Sequence, residues 1–168
     1  MQNSGANSGI LQPVLQWNNS LSDGGGAGWA VSSWFAMESG PAYHTAQVRV
    51  QEGDILTGAI TFTGQDEHGF DYDCEFVGLP GTKLSVQSIT ELTYCCEVLE
   101  AYGTTLWSDY PQTERTAFTR IRVQTAGGAA ALNWTPRKGF GNRGEEAIVV
   151  NPSPDDGEVD IVYVKEPE

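Results

Sequence analysis

Residues 66–75 form the densest group of side chains that could do chemistry, because acids gather there beside a histidine. Their oxygens are suitable calcium ligands, but a calcium loop wraps its ligands around one ion. Asp71, Asp73 and Glu75 instead alternate with other residues at the spacing of one outer face of a strand. With two histidines in the whole chain, a three-histidine zinc site is excluded as well. We therefore predict a solvated strand surface, no metal site and no cofactor.

Aromatic side chains form a second candidate group. Trp17, Trp29 and Trp34 lie around a glycine-rich stretch, residues 23–28, and aromatic rings on a sheet face can stack on a sugar or a peptide. Each ring could equally pack in a core. Residues 32–33, Ser-Ser, have no identified base that would make either one a nucleophile. No phosphate-binding loop, dinucleotide fingerprint, nucleophile elbow or Cys-x-x-Cys motif occurs.

The cysteines are three in number, Cys74, Cys95 and Cys96. An odd number leaves at least one thiol free or paired with another molecule. If the chain is extended at Cys95 and Cys96, the two side chains point to opposite faces, so only one of them could easily pair with Cys74. The sequence leaves this pairing open.

The composition limits the classes of function. The chain has 168 residues with 22 acidic and 9 basic side chains, a net charge of −13 and a pI near 4.3. Nucleic acids and anionic membranes attract basic proteins, so neither is an expected partner. Charged residues make up only 18%, and such an acidic, lysine-poor surface favours an extracellular location. No signal peptide is recognisable at the start of the chain, and sequons at residues 18–20 and 133–135 favour secretion weakly.

The elements that must position these groups follow a period of two. Apolar and polar residues alternate in four runs, residues 47–50, 70–76, 118–124 and 159–163. Such short strands, separated by turn-forming residues, predict an all-β antiparallel sandwich of jelly-roll or concanavalin-like type whose concave sheet forms a cleft. No linker divides the chain, so we expect one domain over residues 1–168. Residues 1–9 are predicted to be a flexible segment and residues 165–168 a tail.

Residues 91–102 depart from this period. Apolar residues fall there at helical spacing, and Gly103 could end a helix. The apolar positions are Ile89, Leu92, Cys96 and Leu99. Taken alone, this pattern predicts a short amphipathic helix.

Four segments in order resemble the fungal glutamic peptidases, the eqolisins. Residues 10–17 are similar to the family's Ile-Leu-Gln-x-Gly-x-Asp-Trp segment, and residues 34–35 to the end of its Ala-Trp-Tyr-Glu-Trp-Tyr strand. Residues 48–54 resemble its Val-x-Ile-x-x-Gly-Asp turn, and residues 95–102 its Ala-Glu-Trp-Ile-Val-Glu-Asp-Phe strand. The resemblance extends from residue 10 to about residue 125. It implies a sandwich of two curved antiparallel sheets, with residues 91–102 as a strand.

In that family a Gln and a Glu on the concave sheet share the catalytic work. The resemblance implies that Gln12 holds the oxyanion and that Glu97 acts first as general base and then as general acid. Alignment without a gap places Cys96 at the Glu position instead. A slip by one residue restores Glu97 but reverses every face of the strand, and both registers stay open.

The remaining cleft residues follow from the same alignment. Gln16 stands where the family has Asp, and Ser33 where it has a Glu between two aromatic residues. We expect both to bind substrate, together with Trp34 and Cys96.

These observations predict an enzyme, an acid hydrolase of glutamic-peptidase type, acting on a peptide, a carbohydrate or a small organic molecule without a cofactor. One alternative keeps the scaffold but changes the chemistry, with Cys96, His44 or another acid in the central role. A second alternative is a binding module in which the face of Trp34 holds carbohydrate or peptide without turnover.

Overall fold

The computed structural model describes residues 7–17, 26–101, 110, 113–137 and 145–163. All regular structure in these ranges is β-strand, which confirms the all-β prediction. None of the described residues belongs to a helix of the length and apolar character that crosses a membrane. The strands in chain order are β1 (Gly9–Trp17), β2 (Trp29–Met37), β3 (Ala42–His44), β4 (Val48–Arg49), β5 (Gly58–Asp66), β6 (Gly69–Phe76), β7 (Leu84–Ile89), β8 (Arg115–Ile121), β9 (Gln124–Thr125), β10 (Gly128–Ala129), β11 (Glu145–Asn151) and β12 (Gly157–Tyr163).

The chain divides into two compact units, Met1–Thr93 and Tyr94–Glu168. Each unit has its own sheets and its own buried cluster. The residues expected to do chemistry are therefore distributed over two separately packed parts of the chain.

The first unit is a sandwich of antiparallel sheets. One sheet has the order β1-β2-β3, with β4 also paired to β2, and the other has the order β5-β6-β7. Tyr72, Cys74 and Phe76 of β6 are buried, as the period of two predicted. Apolar side chains from both sheets form the main core: Leu11, Phe35, Tyr72, Cys74, Val86 and Ile89. This core fixes which face of β1 and β2 looks inward and which looks away.

Residues 7–9 belong to the sheet rather than to the predicted flexible segment. Asn7 forms a parallel bridge with Ile89, and its carbonyl accepts a hydrogen bond of 3.0 Å from the Thr90 amide. Gly9 begins β1 so close to β2 that an added Cβ would lie 2.5 Å from the Ala36 carbonyl oxygen. Only glycine fits this approach, and β1 is thereby anchored at its start. Residues 1–6 lie outside the described residues.

The acidic stretch stabilises the turn and the outer face of β6. Asp66 accepts hydrogen bonds from two backbone amides of the β5–β6 turn, at 2.8 and 3.2 Å. Asp73 lies 2.6 Å from Lys83 Nζ and accepts a hydrogen bond of 2.6 Å from Ser85, and these two partners lower the pKa of its carboxyl. Asp71 accepts from the backbone of β7, at the Ser88 amide. Asp66, Asp71 and Asp73 thus each have a partner within the fold.

The second unit contains a sheet of order β11-β12-β8 and the short pair β9-β10. Its core is rich in tyrosine: Tyr110, Ile161 and Tyr163 are buried, with Leu99 packed against them. Asp160 lies on the opposite face of β12 from Ile161. It is buried and accepts a hydrogen bond from Arg115. Residues 165–168, predicted as a tail, lie outside the described residues.

Residues 91–101 form neither the helix that their spacing predicts nor the strand that the resemblance implies. Both expectations are wrong for this range, and residue 102 lies outside the described residues. Leu92, Glu97 and Leu99 are its half-buried side chains, and their spacing fits neither a helix face nor a strand face. Thr93 and Val98 are β-branched, which lowers helix propensity, and no described strand pairs with this range.

Candidate functional site

Gln12 and Gln16 lie on the face of the β1–β2 hairpin that looks away from the core. Gln12 pairs with Trp34, and Gln16 pairs with Ala30, while Ser32 lies between these positions opposite Val14. Directly opposed residues of an antiparallel pair share a face, and alternate residues of one strand do too. We call this surface, defined by Gln12, Gln16, Ser32, Trp34 and His44, the polar face.

A chain of hydrogen bonds connects three side chains of the polar face. Trp34 Nε1 donates to Ser32 Oγ at 2.7 Å, and Ser32 Oγ donates to Gln16 Oε1 at 3.2 Å. Ser32 is fully buried, whereas Trp34 and Gln16 are half-buried. The buried hydroxyl thus holds the indole and the amide in fixed positions while both side chains remain partly open to solvent.

The direction of this chain follows from the chemistry of its members. An indole N–H can only donate, so Ser32 Oγ must accept from Trp34. The Ser32 hydroxyl then needs an acceptor, and Gln16 Oε1 is that acceptor. A reversed amide would leave the buried hydroxyl proton unpaired, at a cost of about 1–3 kcal/mol. The Gln16 carbonyl oxygen therefore faces Ser32, and its NH₂ group faces away.

Gln12 is the less restrained amide of the two. Its side chain is half-buried, directly opposite Trp34 in the β1–β2 register. Within the described ranges no residue forms a hydrogen bond with its side chain. The strand fixes its position, and its two N–H donors and its oxygen remain available to a ligand.

His44 extends the polar face onto β3. It pairs with Trp34, and the two rings lie 4.5 Å apart between centroids at an angle of 41°. His44 Nδ1 lies 3.2 Å from the Thr45 carbonyl oxygen. Because that oxygen can only accept, Nδ1 carries a proton, and in the neutral ring Nε2 is an acceptor.

Ser33, expected to bind substrate, lies on the opposite face. It pairs with Pro13, is fully buried and is near Cys74 in the core. Burial raises the pKa of the Cys74 thiol to about 11, and the Ser33 hydroxyl opposes this only in part. Ser32 therefore occupies the polar face in place of Ser33.

Ser32 and His44 were not among the substrate-binding residues predicted from the sequence. Ser32 has the same parity as Trp34 in β2, and this was a usable signal. The pairing of Trp34 with His44 depends on how β3 folds back on β2, which no local pattern shows.

Glu97 belongs to the second unit, in the irregular segment of residues 94–101. Its side chain is half-buried, and burial raises the pKa of its carboxyl from 4.5 to about 7. Such a group can hold a proton in acid and release it near neutrality, which is what acid–base catalysis requires.

Cys96 adjoins Glu97 and is an exposed free thiol. The residue as a whole is exposed, but partial desolvation of its thiol raises the pKa, and the nearby Glu97 and Glu100 charges act in the same direction. Cys95 and Cys74 are free as well, so none of the three cysteines forms a disulfide. A thiol with a raised pKa is protonated at neutral pH, and the thiolate is the reactive form. These surroundings oppose a nucleophilic role for Cys96.

The described part of the chain contains no group of three or more His, Cys, Asp or Glu side chains placed to hold a metal ion. Comparisons of the chain with protein-family models, with curated proteins and with solved structures find no match.

Proposed function

We propose that the protein is a hydrolase resembling the glutamic peptidases and that its substrates are peptides. Glu97 takes a proton from the attacking water and returns it to the leaving amine. Gln12 donates a hydrogen bond to the oxyanion that forms at the substrate carbonyl. The raised pKa of Glu97 is the observation that carries the proposal.

The pKa of Glu97 also sets the expected pH range. A carboxyl with a pKa of about 7 is almost fully protonated in strongly acid solution, so it cannot act first as a base there. We therefore expect kcat/KM to rise with pH up to about 7 and to level off above it. The proposed enzyme works at weakly acid to neutral pH.

Gln12 supports the proposal through its availability. Its side-chain amide has no hydrogen-bond partner among the described residues, and its strand is fixed by pairing with β2 along its whole length. A donor that is held in place but unpaired can stabilise negative charge without first breaking another bond.

The test is hydrolysis of a fluorescence-quenched peptide library from pH 4 to pH 9. We expect Glu97→Gln to lower kcat/KM at least about 100-fold and Gln12→Ala to lower it about 100-fold. Glu146→Gln, an exposed acid of the second unit, is the matched control and should retain activity. Absence of cleavage by the wild type, or full activity of Glu97→Gln, contradicts the proposal.

The second candidate function is binding of carbohydrate or peptide without turnover. It is favoured by the way the polar face holds Trp34, with the indole fixed by Ser32 and packed at an angle against His44. Trp34→Ala should then remove binding in a titration with oligosaccharides and peptides. Trp17→Ala changes an exposed ring on the other face of β1 and should leave binding intact.

A further inference from the structure

We propose that Gln16 determines specificity by donating hydrogen bonds to a backbone carbonyl of an extended peptide, and that Ser32 is the residue that positions it. The inference deepens the proposed function and rests on it. It names the chemical group that the polar face recognises, which is an acceptor oxygen presented by a peptide strand.

The orientation of the Gln16 amide is the first reason. Its oxygen is occupied by the Ser32 hydroxyl, which in turn accepts from Trp34. Its NH₂ group has no hydrogen-bond partner among the described residues. Gln16 therefore presents two unpaired N–H donors toward a ligand, while its oxygen already accepts from Ser32.

The spacing of the two glutamines is the second reason. Gln12 and Gln16 lie four residues apart on one face of β1, which is about 13 Å along an extended strand. Carbonyl groups on one side of an extended peptide recur every two residues, about 6.7 Å apart. The two amides thus match carbonyls separated by two such repeats. Trp34 lies opposite Gln12, at the first of the two amides, and its ring can pack against a substrate side chain there.

The test uses the Gln16→Glu substitution, because it retains an acceptor for Ser32 and removes the NH₂ donors. Peptide binding is measured by calorimetry in a Glu97→Gln background, so that the probe is not cleaved. The probe is an acetylated and amidated octapeptide library without titratable side chains, and cellohexaose serves as the carbohydrate probe. Ser32→Ala, which frees the amide to rotate, is a second variant.

At pH 7 we expect Gln16→Glu to raise Kd at least about tenfold. At about pH 3.5 the new carboxyl is mostly protonated and donates through its O–H, so affinity should return to within about threefold of the background. His44 of β3 and Arg49 of β4 also lie on this face, and a positive charge on either attracts the ionised carboxylate of Gln16→Glu but not the neutral amide of Gln16. The pH at which affinity returns is therefore read from a full titration of Gln16→Glu between pH 3 and pH 7. Ser32→Ala should raise Kd about threefold at both pH values.

The inference is overturned if the background variant binds no peptide, if it binds cellohexaose instead, if Gln16→Glu binds equally well at pH 7, or if its loss persists at low pH. Thermal unfolding of each variant excludes simple misfolding as the cause. Peptide binding that depends on Gln16, without hydrolysis by the wild type, overturns the proposed function and leaves the role of Gln16 standing. If the wild type hydrolyses peptides and Gln16→Glu does not change KM, the proposed function stands and the role of Gln16 is overturned.

Discussion

The polar face and the segment of residues 94–101 hold their proposed functional groups by different means. Gln12 lies in a strand paired with β2 along nine residues, from Gly9 to Trp17. Residues 93–99, around Glu97, form no hydrogen bond with other described residues. Glu97 has a strongly shifted pKa, and burial is the cause. The comparison suggests a division of roles, in which paired strands fix geometry and burial outside them sets proton affinity.

Hydrogen exchange should show the largest difference between the two regions. Residues 31–35 lie in β2, which has strand partners on both sides, whereas residues 94–98 have no hydrogen-bonded amides among the described residues. We expect amides of the first group to exchange at least about 1000-fold more slowly. Exchange measured by mass spectrometry at neutral pH tests this. Equal protection of both groups would show that residues 94–98 are held by backbone pairing after all.

Truncation of a core side chain should cost more stability beneath the polar face than beside residues 94–101. Phe35 is buried beneath the polar face at the centre of the main core, so Phe35→Ala should lower the free energy of unfolding by about 3–5 kcal/mol. Leu99 is half-buried against the tyrosine-rich cluster, and Leu99→Ala should cost about 1–2 kcal/mol. Urea unfolding measures both. A larger loss for Leu99→Ala would reverse the comparison.

The sequence predicted those parts of the fold in which local pattern and burial agree. Tyr72 and Cys74 alternate with acids, and Val159 and Ile161 alternate likewise, and all four apolar side chains are buried. The helix and strand predictions for residues 91–101 were wrong, because the spacing of apolar residues defines a buried face only where another element covers that face. Their chain has no described strand partner, so neither of the two periods was realised.

The site was predictable to a smaller extent. A match of motifs selected Gln12, but it placed Ser33 on the substrate face, because a motif match does not fix which side of a strand faces the core. The register that pairs Gln12 with Trp34 is a relation between two strands, which no local pattern contains. The pKa of Glu97 depends on burial created by tertiary packing, which no local pattern contains.

Stability should depend on pH through Glu97. Its pKa is raised in the folded state, so the folded state binds the proton more tightly than the unfolded chain between pH 4.5 and about 7. This contribution is fully present below pH 4.5 and is lost as the pH rises through about 7. Because the side chain is partly exposed, we expect a loss of about 1–2 kcal/mol. Urea unfolding at pH 4, 6 and 8 should show Glu97→Gln gaining on the wild type by this amount. A stability difference that is the same at all three pH values would contradict the raised pKa.

Gln12→Ala should have the smallest effect on stability, within about 0.5 kcal/mol at any pH. The side chain is half-buried and its amide has no hydrogen-bond partner in the described structure, so its removal breaks no protein contact of that kind. Thermal unfolding measured beside peptide hydrolysis is the decisive pairing. Loss of turnover without loss of stability would mean that β1 holds an amide that the fold does not need. If Gln12→Ala lost turnover and stability together, Gln12 would be a structural residue. The difference between β1 and the segment around Glu97 would then be a difference in packing and not in function.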